Sequence, residues 1–200
     1  MSARSVLRAC LGVAGAAAAL AAPVAAWRLS RAGERGGVLV ATRIHLPEAA
    51  AASFRLDGVE RALAARRVPV RVLTTRPPAG VDNPDGDSRV VRVSRWPALR
   101  DSSVYLRGYA PYLSFDLPLA LRLLLAPRPG VVLVEPPPTT GAVVRAVAAL
   151  RGVPYVWYAP DVWSTAALST GAPGPVVRAV RALEAFAVRG AARVIAVNDE

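Results

Sequence analysis

Two hundred residues, 54% of them hydrophobic and only 6% aromatic, suit one or two globular α/β domains with a sizeable core, and a disordered chain is excluded. The formal net charge is +11, yet all 25 basic residues are Arg, a usage that looks like GC-rich codon choice; they are scattered, without a helix-turn-helix, zinc-ligand or RNA-binding signature, so they read as solvated surface and no nucleic-acid partner is expected. Cys10 is the only cysteine, which rules out an intramolecular disulfide and a cysteine zinc site.

Residues 1–36 form a hydrophobic N-terminal segment and linker. Ala9 to Trp27 is uncharged and, as a helix, would extend about 28 Å, close to the hydrocarbon thickness of a bilayer. Most of its positions are Ala or Gly, and Pro23 interrupts it, so its insertion terms sum only to the order of −2 kcal/mol. A membrane anchor, a secretory signal with Arg4 and Arg8 as its basic start, and a misassigned start codon all fit this segment.

From residue 37 to 200 the pattern is that of a Rossmann-like α/β domain. Val38 to Thr42 reads as a first strand, Arg43 to Glu48 as a loop, and Ala49 to Arg67 as a helix with Phe54, Leu56, Val59, Ala62 and Leu63 on its apolar side. Val68 to Thr75 is a second strand, and Val90 to Val93 a short third after a run dense in turn formers. Strand, helix and strand at this spacing give a βαβ unit with a parallel crossover. Arg95 to Phe115 interrupts the regularity with aromatics and arginines interleaved. It reads as a surface loop whose aromatics pack back on the core, in preference to a membrane-interface segment. Leu117 to Ala126 is a helix, and Val131 to Val134 a fourth strand that ends in Glu135.

Pro136, Pro137 and Pro138 then deny the backbone donors and hold an extended loop, so Glu135, Thr139 and Thr140 would be presented above the sheet; Thr140 is better read as a cap of the next helix, Ala142 to Leu150. Val153 to Ala159 is a fifth strand, and the acid Asp161 and indole Trp163 follow at once. Ligands of open α/β sheets sit beyond the carboxyl ends of strands, which makes Asp161 the candidate catalytic residue, although it could equally cap a short helix from Val162. Ser164 to Pro175 reads as a small-residue loop, Val176 to Arg189 as an amphipathic helix, and Arg193 to Val197 as a sixth strand. A parallel edge strand needs a crossover to cover it, so a product truncated on its C-terminal side is expected.

Several of these pieces, in this order, resemble the N-terminal domain of the family 4 glycosyltransferases, two-domain enzymes of the GT-B fold. They are Leu46-Pro47-Glu48, Phe54-Arg55, Val70 to Pro77, Val132 to Pro137, Gly152 to Val156 with Asp161-Val162-Trp163, and Leu183-Glu184 with Ala191 to Val197. The resemblance implies transfer of a sugar from a nucleotide sugar to an acceptor, with the acceptor held by this half and the donor mainly by a domain that is not in this chain, so the chain alone would be inactive. No cofactor is implied beyond the nucleotide-sugar donor as co-substrate. Asp161 matches the Asp before Trp at the mouth of the interdomain cleft, and Glu135, Thr139, Trp163, Glu48 and Arg55 are candidate acceptor-binding residues; a solvated surface position suits Arg55 as well. The implied acceptor is a sugar, lipid-linked or of the cell envelope, at a cytoplasmic location on the inner face of the plasma membrane. Ala49 to Ser53 stands where many relatives carry two glycines, and its Cβ atoms oppose close approach of a diphosphate. His45, the only histidine, lacks a motif match as a base and reads as a loop residue.

Two other classes compete. A nucleotide-cofactor oxidoreductase is weakened by the lack of any glycine between Arg43 and Ser53, where a Gly-x-Gly-x-x-Gly turn would stand. A non-catalytic Rossmann-like binding domain or subunit remains open.

Overall fold

The structure is a computed structural model that describes residues 36–81, 91–101 and 109–197. The Ala9–Trp27 segment, the turn-rich run 82–90, Tyr105, Arg107 and the C-terminal Asn198-Asp199-Glu200 lie outside these residues. The described elements, in chain order, are β1 (Val38–Ala41), α1 (Ala51–Ala65), β2 (Val70–Thr75), β3 (Val91–Trp96), α2 (Tyr109–Leu125), β4 (Val131–Val134), α3 (Pro138–Arg151), β5 (Tyr155–Ala159), α4 (Trp163–Ser169), α5 (Gly174–Gly190) and β6 (Arg193–Ala196).

All six strands are parallel, in the order β3-β2-β1-β4-β5-β6, a Rossmann-like sheet. Strand order reverses at β1 and β4, whose registers run from Val38 opposite Val131 to Ala41 opposite Val134. Strand side chains alternate between two faces. Leu39, Ala41, Val132, Val134, Tyr155 and Trp157 meet Phe115, Leu119 and Leu123 of α2, Val144 and Val147 of α3, and Ala187 of α5. The opposite face, with Val40, Val70, Val72, Leu133 and Tyr158, packs on Leu56, Val59 and Leu63 of α1. β6, the edge strand, is exposed along its whole length.

Four departures from the sequence reading have physical reasons. α2 begins at Tyr109, eight residues before the expected Leu117, because its prolines, Pro111 near the start and Pro118 inside, are tolerated where packing holds the helix. β3 runs on to Trp96, three residues past the expected Val93, because it pairs with β2 as far as Thr75; Trp96 and Phe115 pack on the core as expected, their rings stacked at 5.0 Å and 3°. The run of prolines does not stay extended; Pro138 opens α3, where a missing N–H costs nothing, and Gly152 ends that helix in the left-handed region. On α1 the buried face is Ser53, Leu56 and Glu60, while Phe54 and Ala62 point outward, because Glu60 pairs with His45 and Ser53 donates to the Glu48 carbonyl at 2.7 Å.

Candidate functional site

The carboxyl ends of β1, β4 and β5 converge where strand order reverses. Thr42 and Arg43 leave β1, Glu135 leaves β4, and Asp161 follows β5 at an exposed bend. Across the seam the Thr42 hydroxyl donates to Glu135 Oε2 at 2.9 Å. Glu135 is therefore buried beneath the loops and not presented above the sheet. Burial pushes its carboxyl above the usual range and the negative Asp161 adds to that, against the Thr42 hydrogen bond and the positive charges of Arg55 and Arg43.

A second buried acid, Asp116, reaches the same place from α2. Thr140 donates to its Oδ1 at 2.6 Å. Thr140 is thus engaged with Asp116 and caps nothing; the residue before α3, Pro137, has no side-chain cap. Burial raises the Asp116 carboxyl, and Thr140, the nearby Thr139 hydroxyl and Arg43 oppose the rise; Thr139 lies beside the carboxylate but makes no hydrogen bond of normal geometry.

Arg43 is the cation these acids share. Burial holds its guanidinium below its ordinary value, while Tyr112, Asp116 and Glu135 favour the charged form. Its Cζ lies 4.1 Å from the centre of the Tyr112 ring and 5.8 Å from that of Trp163, and the two rings meet edge to face at 6.2 Å. A buried guanidinium so placed fixes both rings. Beside them opens a largely apolar pocket of about 340 Å³, whose walls include Tyr112, Thr139, Trp163, Ala167, Val180 and Leu183.

Asp161 does not cap α4. The first helical N–H groups, of Trp163 and Ser164, donate instead to Glu184 of α5 at 2.7 and 3.2 Å, and the position before the helix, Val162, contributes no side-chain cap. Asp161 is left as an exposed carboxylate at the rim.

The remaining candidates lie elsewhere on the same sheet edge. Both oxygens of Glu48 accept from Arg100, at 3.0 and 2.7 Å, and Arg100 also donates to Thr75 and to the Arg76 carbonyl. Glu48 is held in this ion pair, apart from the Glu135 cluster. Arg55 is half-buried and feels Glu135 electrostatically. His45 is buried, with Nε2 3.1 Å from both Glu60 oxygens and Nδ1 2.9 Å from the Leu46 carbonyl, contacts that make it a strut between loop and α1. Among the described residues no three His, Cys, Asp or Glu side chains come together as metal ligands would.

The structure thus brings Glu135, Thr139, Asp161 and Trp163 to one place and leaves Glu48 outside it. Arg43, Tyr112 and Asp116 escaped the sequence reading as site residues, and Glu184 entered it only as part of the resemblance, without a role. Arg43 carried the same signal as Asp161, a charge directly after a strand, and Asp116 was a lone acid in register with Leu119 and Leu123 on an apolar helix.

A sequence profile described as a glycosyl transferase 4-like domain matches residues 51–200. No curated protein matches the chain in sequence. Among solved structures, that of Arabidopsis thaliana UGT89C1 complexed with UDP is similar at a TM-score of 0.50 and 14% identity, covering 81% of this chain and 45% of that one. The chain thus spans less than half the length of this neighbour, and the likeness carries the fold alone: a Rossmann-like parallel sheet, as in GT-B glycosyltransferases.

Proposed function

The chain belongs to the glycosyl transferase 4-like family, and we propose that it forms the acceptor-binding half of an enzyme that moves a sugar from a nucleotide sugar to a lipid-linked or cell-envelope acceptor. The observation that carries this reading is the convergence of Asp161, Trp163 and the buried Arg43–Glu135–Asp116 cluster at the reversal of strand order, where open α/β sheets bind ligands. The exposed Asp161 carboxylate accepts hydrogen bonds from acceptor hydroxyls or stabilises positive charge developing on the transferred sugar. Trp163, steadied by Arg43 and Tyr112, offers its apolar face to a sugar ring. Glu135 and Asp116 compensate the buried guanidinium and keep the rings in place. The nucleotide sugar is a co-substrate, held mainly by a second domain, and no other cofactor takes part. Among the described residues no helix is long and apolar enough to cross a membrane; work at the inner face of the plasma membrane is part of the proposal.

The test is Asp161→Asn in a polypeptide that joins this chain to its donor half. Transfer from radiolabelled nucleotide sugars should fall at least ~100-fold, the scale of one lost transition-state contact, with the melting temperature unchanged. Undiminished transfer refutes the role of Asp161, and tight NAD(P)H binding by the purified chain would favour the oxidoreductase class instead.

A further inference from the structure

The pocket beside Trp163 measures about 340 Å³, far more than close packing leaves within a domain. Small residues make the room: Ala166 and Ala167 of α4 and Ala179 of α5 line it where longer side chains would fill it. Among the described residues no charged side chain lines it. The two threonines in its wall have their hydroxyls turned to the protein. Thr170 donates to the Ala166 and Ala167 carbonyls at 3.1 and 3.0 Å, and the Thr139 oxygen is buried beside Asp116. A charged guest would therefore give up its water without gaining a partner from these walls.

The pocket is also tied to the candidate site. Tyr112 and Trp163, whose rings Arg43 holds, belong to both. Glu184 of α5 accepts from the Trp163 and Ser164 N–H groups, which fixes the start of α4 against α5 and keeps the space between them open. Asp161 precedes Trp163 by two residues, a chain distance of no more than about 7 Å. A molecule whose hydroxyl meets Asp161 thus has the pocket within reach of its neighbouring atoms. Volume then limits what enters. A cavity of about 150 Å³ lined by aliphatic and aromatic side chains takes up benzene, so this one holds about ten to twelve carbons.

We propose that the pocket seats an uncharged apolar group of the acceptor, an alkyl chain or its equivalent of about ten to twelve carbons, beside the hydroxyl that meets Asp161. This acceptor class, an amphiphile with a hydroxylated head and an apolar tail, rests on the sugar-transfer reading of the site. A longer lipid seats only the carbons nearest its head.

The full chain is titrated calorimetrically with hexyl, octyl, decyl, dodecyl and tetradecyl β-D-maltoside, each below its critical micelle concentration. Affinity should rise about threefold to fourfold per methylene until about ten to twelve carbons and then level. Ala167→Phe puts a ring into the space, so levelling should move to about six carbons and the affinity for dodecyl maltoside should fall about 100-fold or more. Leu121→Ser, at an exposed leucine of α2, should change neither. If Ala167→Phe fails to fold by circular dichroism, Ala179→Phe, at an exposed position of α5, replaces it. The proposal is overturned if affinity does not depend on chain length. It is also overturned if affinity climbs through tetradecyl alike in wild type and the filled variant, since adsorption to Ala9–Trp27 or another apolar surface gives that result, or if Leu121→Ser weakens binding as much as the filled variant does. Because the titration needs no sugar transfer, the two readings fail separately. In the polypeptide that includes the donor half, transfer without dependence on chain length removes the pocket alone. Chain-length dependence that levels, without transfer from any nucleotide sugar, supports the pocket and removes the transferase reading.

Discussion

Replacing Glu184 by Ala removes the acceptor for two backbone donors at the start of α4, at 2.7 and 3.2 Å, from a position 20 and 21 residues farther along the chain. Loss of an N-terminal cap costs about 1 kcal/mol, and removal of a negative charge from the positive end of a helix about 0.3–1 kcal/mol more. A helix of seven residues has little stability of its own, so the loss falls on tertiary structure. The expected total is about 1.5–2 kcal/mol, a fall in Tm of roughly 3–8 °C for a chain of this size. Glu184→Gln, which keeps one acceptor oxygen, should lose about half as much. Thermal melts by circular dichroism measure the sum, and hydrogen exchange at the Trp163 and Ser164 amides locates it: both should lose protection in Glu184→Ala and keep it in Asp161→Asn. Loss of protection in Asp161→Asn with none in Glu184→Ala would return the cap to Asp161 and refute the reasoning.

Gly141 lies on α3 where a Cβ would run into the Trp157 ring and the Ala187 side chain, so Gly141→Ala should destabilise by about 3 kcal/mol or more in urea unfolding. Gly58 on α1 has open space around it, and Gly58→Ala should stabilise by about 0.5–1 kcal/mol in the same assay. The raised carboxyl of Glu135 sets a pH dependence. Between its ordinary value, about 4.3, and its raised one, the folded chain holds more protons than the unfolded chain, so stability falls as pH rises through that window and is fully present below it. The difference in urea midpoint between wild type and Glu135→Gln should therefore move against the wild type as pH rises from about 4; a difference that moves in its favour contradicts the burial of Glu135.

The strands were legible because alternation and β-branched runs write themselves locally: β1, β4, β5 and β6 differ from their expected bounds by two residues at most. The sheet edge that bears Glu135, Asp161 and Trp163 follows from the same signal. What stayed hidden was set by partners distant in sequence. The expected helix began at Leu117, but the packing of Phe115, Leu119 and Leu123 holds together a longer α2 that starts at Tyr109 and takes in Pro111 as well as Pro118. Thr140 and Asp161 look like caps because capping is a local rule, but Asp116 claims the first, and Glu184 takes the place of the second. Arg43 was discounted with the other arginines, and only burial between Tyr112 and Trp163 separates it from them.

The central place of β1 bears on how the chain assembles as it is made. β1 can pair with β2 once about thirty further residues exist, yet its other edge waits for β4, whose matching residues lie 93 positions later, as the Thr42–Glu135 bond does. Until then Val38, Leu39 and Val40 present an unpaired, apolar strand edge, the sort of template that a neighbouring nascent chain can capture. Synthesis speed between β2 and β4, and chaperone cover during that interval, should therefore govern the yield of folded protein more than any property of the finished sheet.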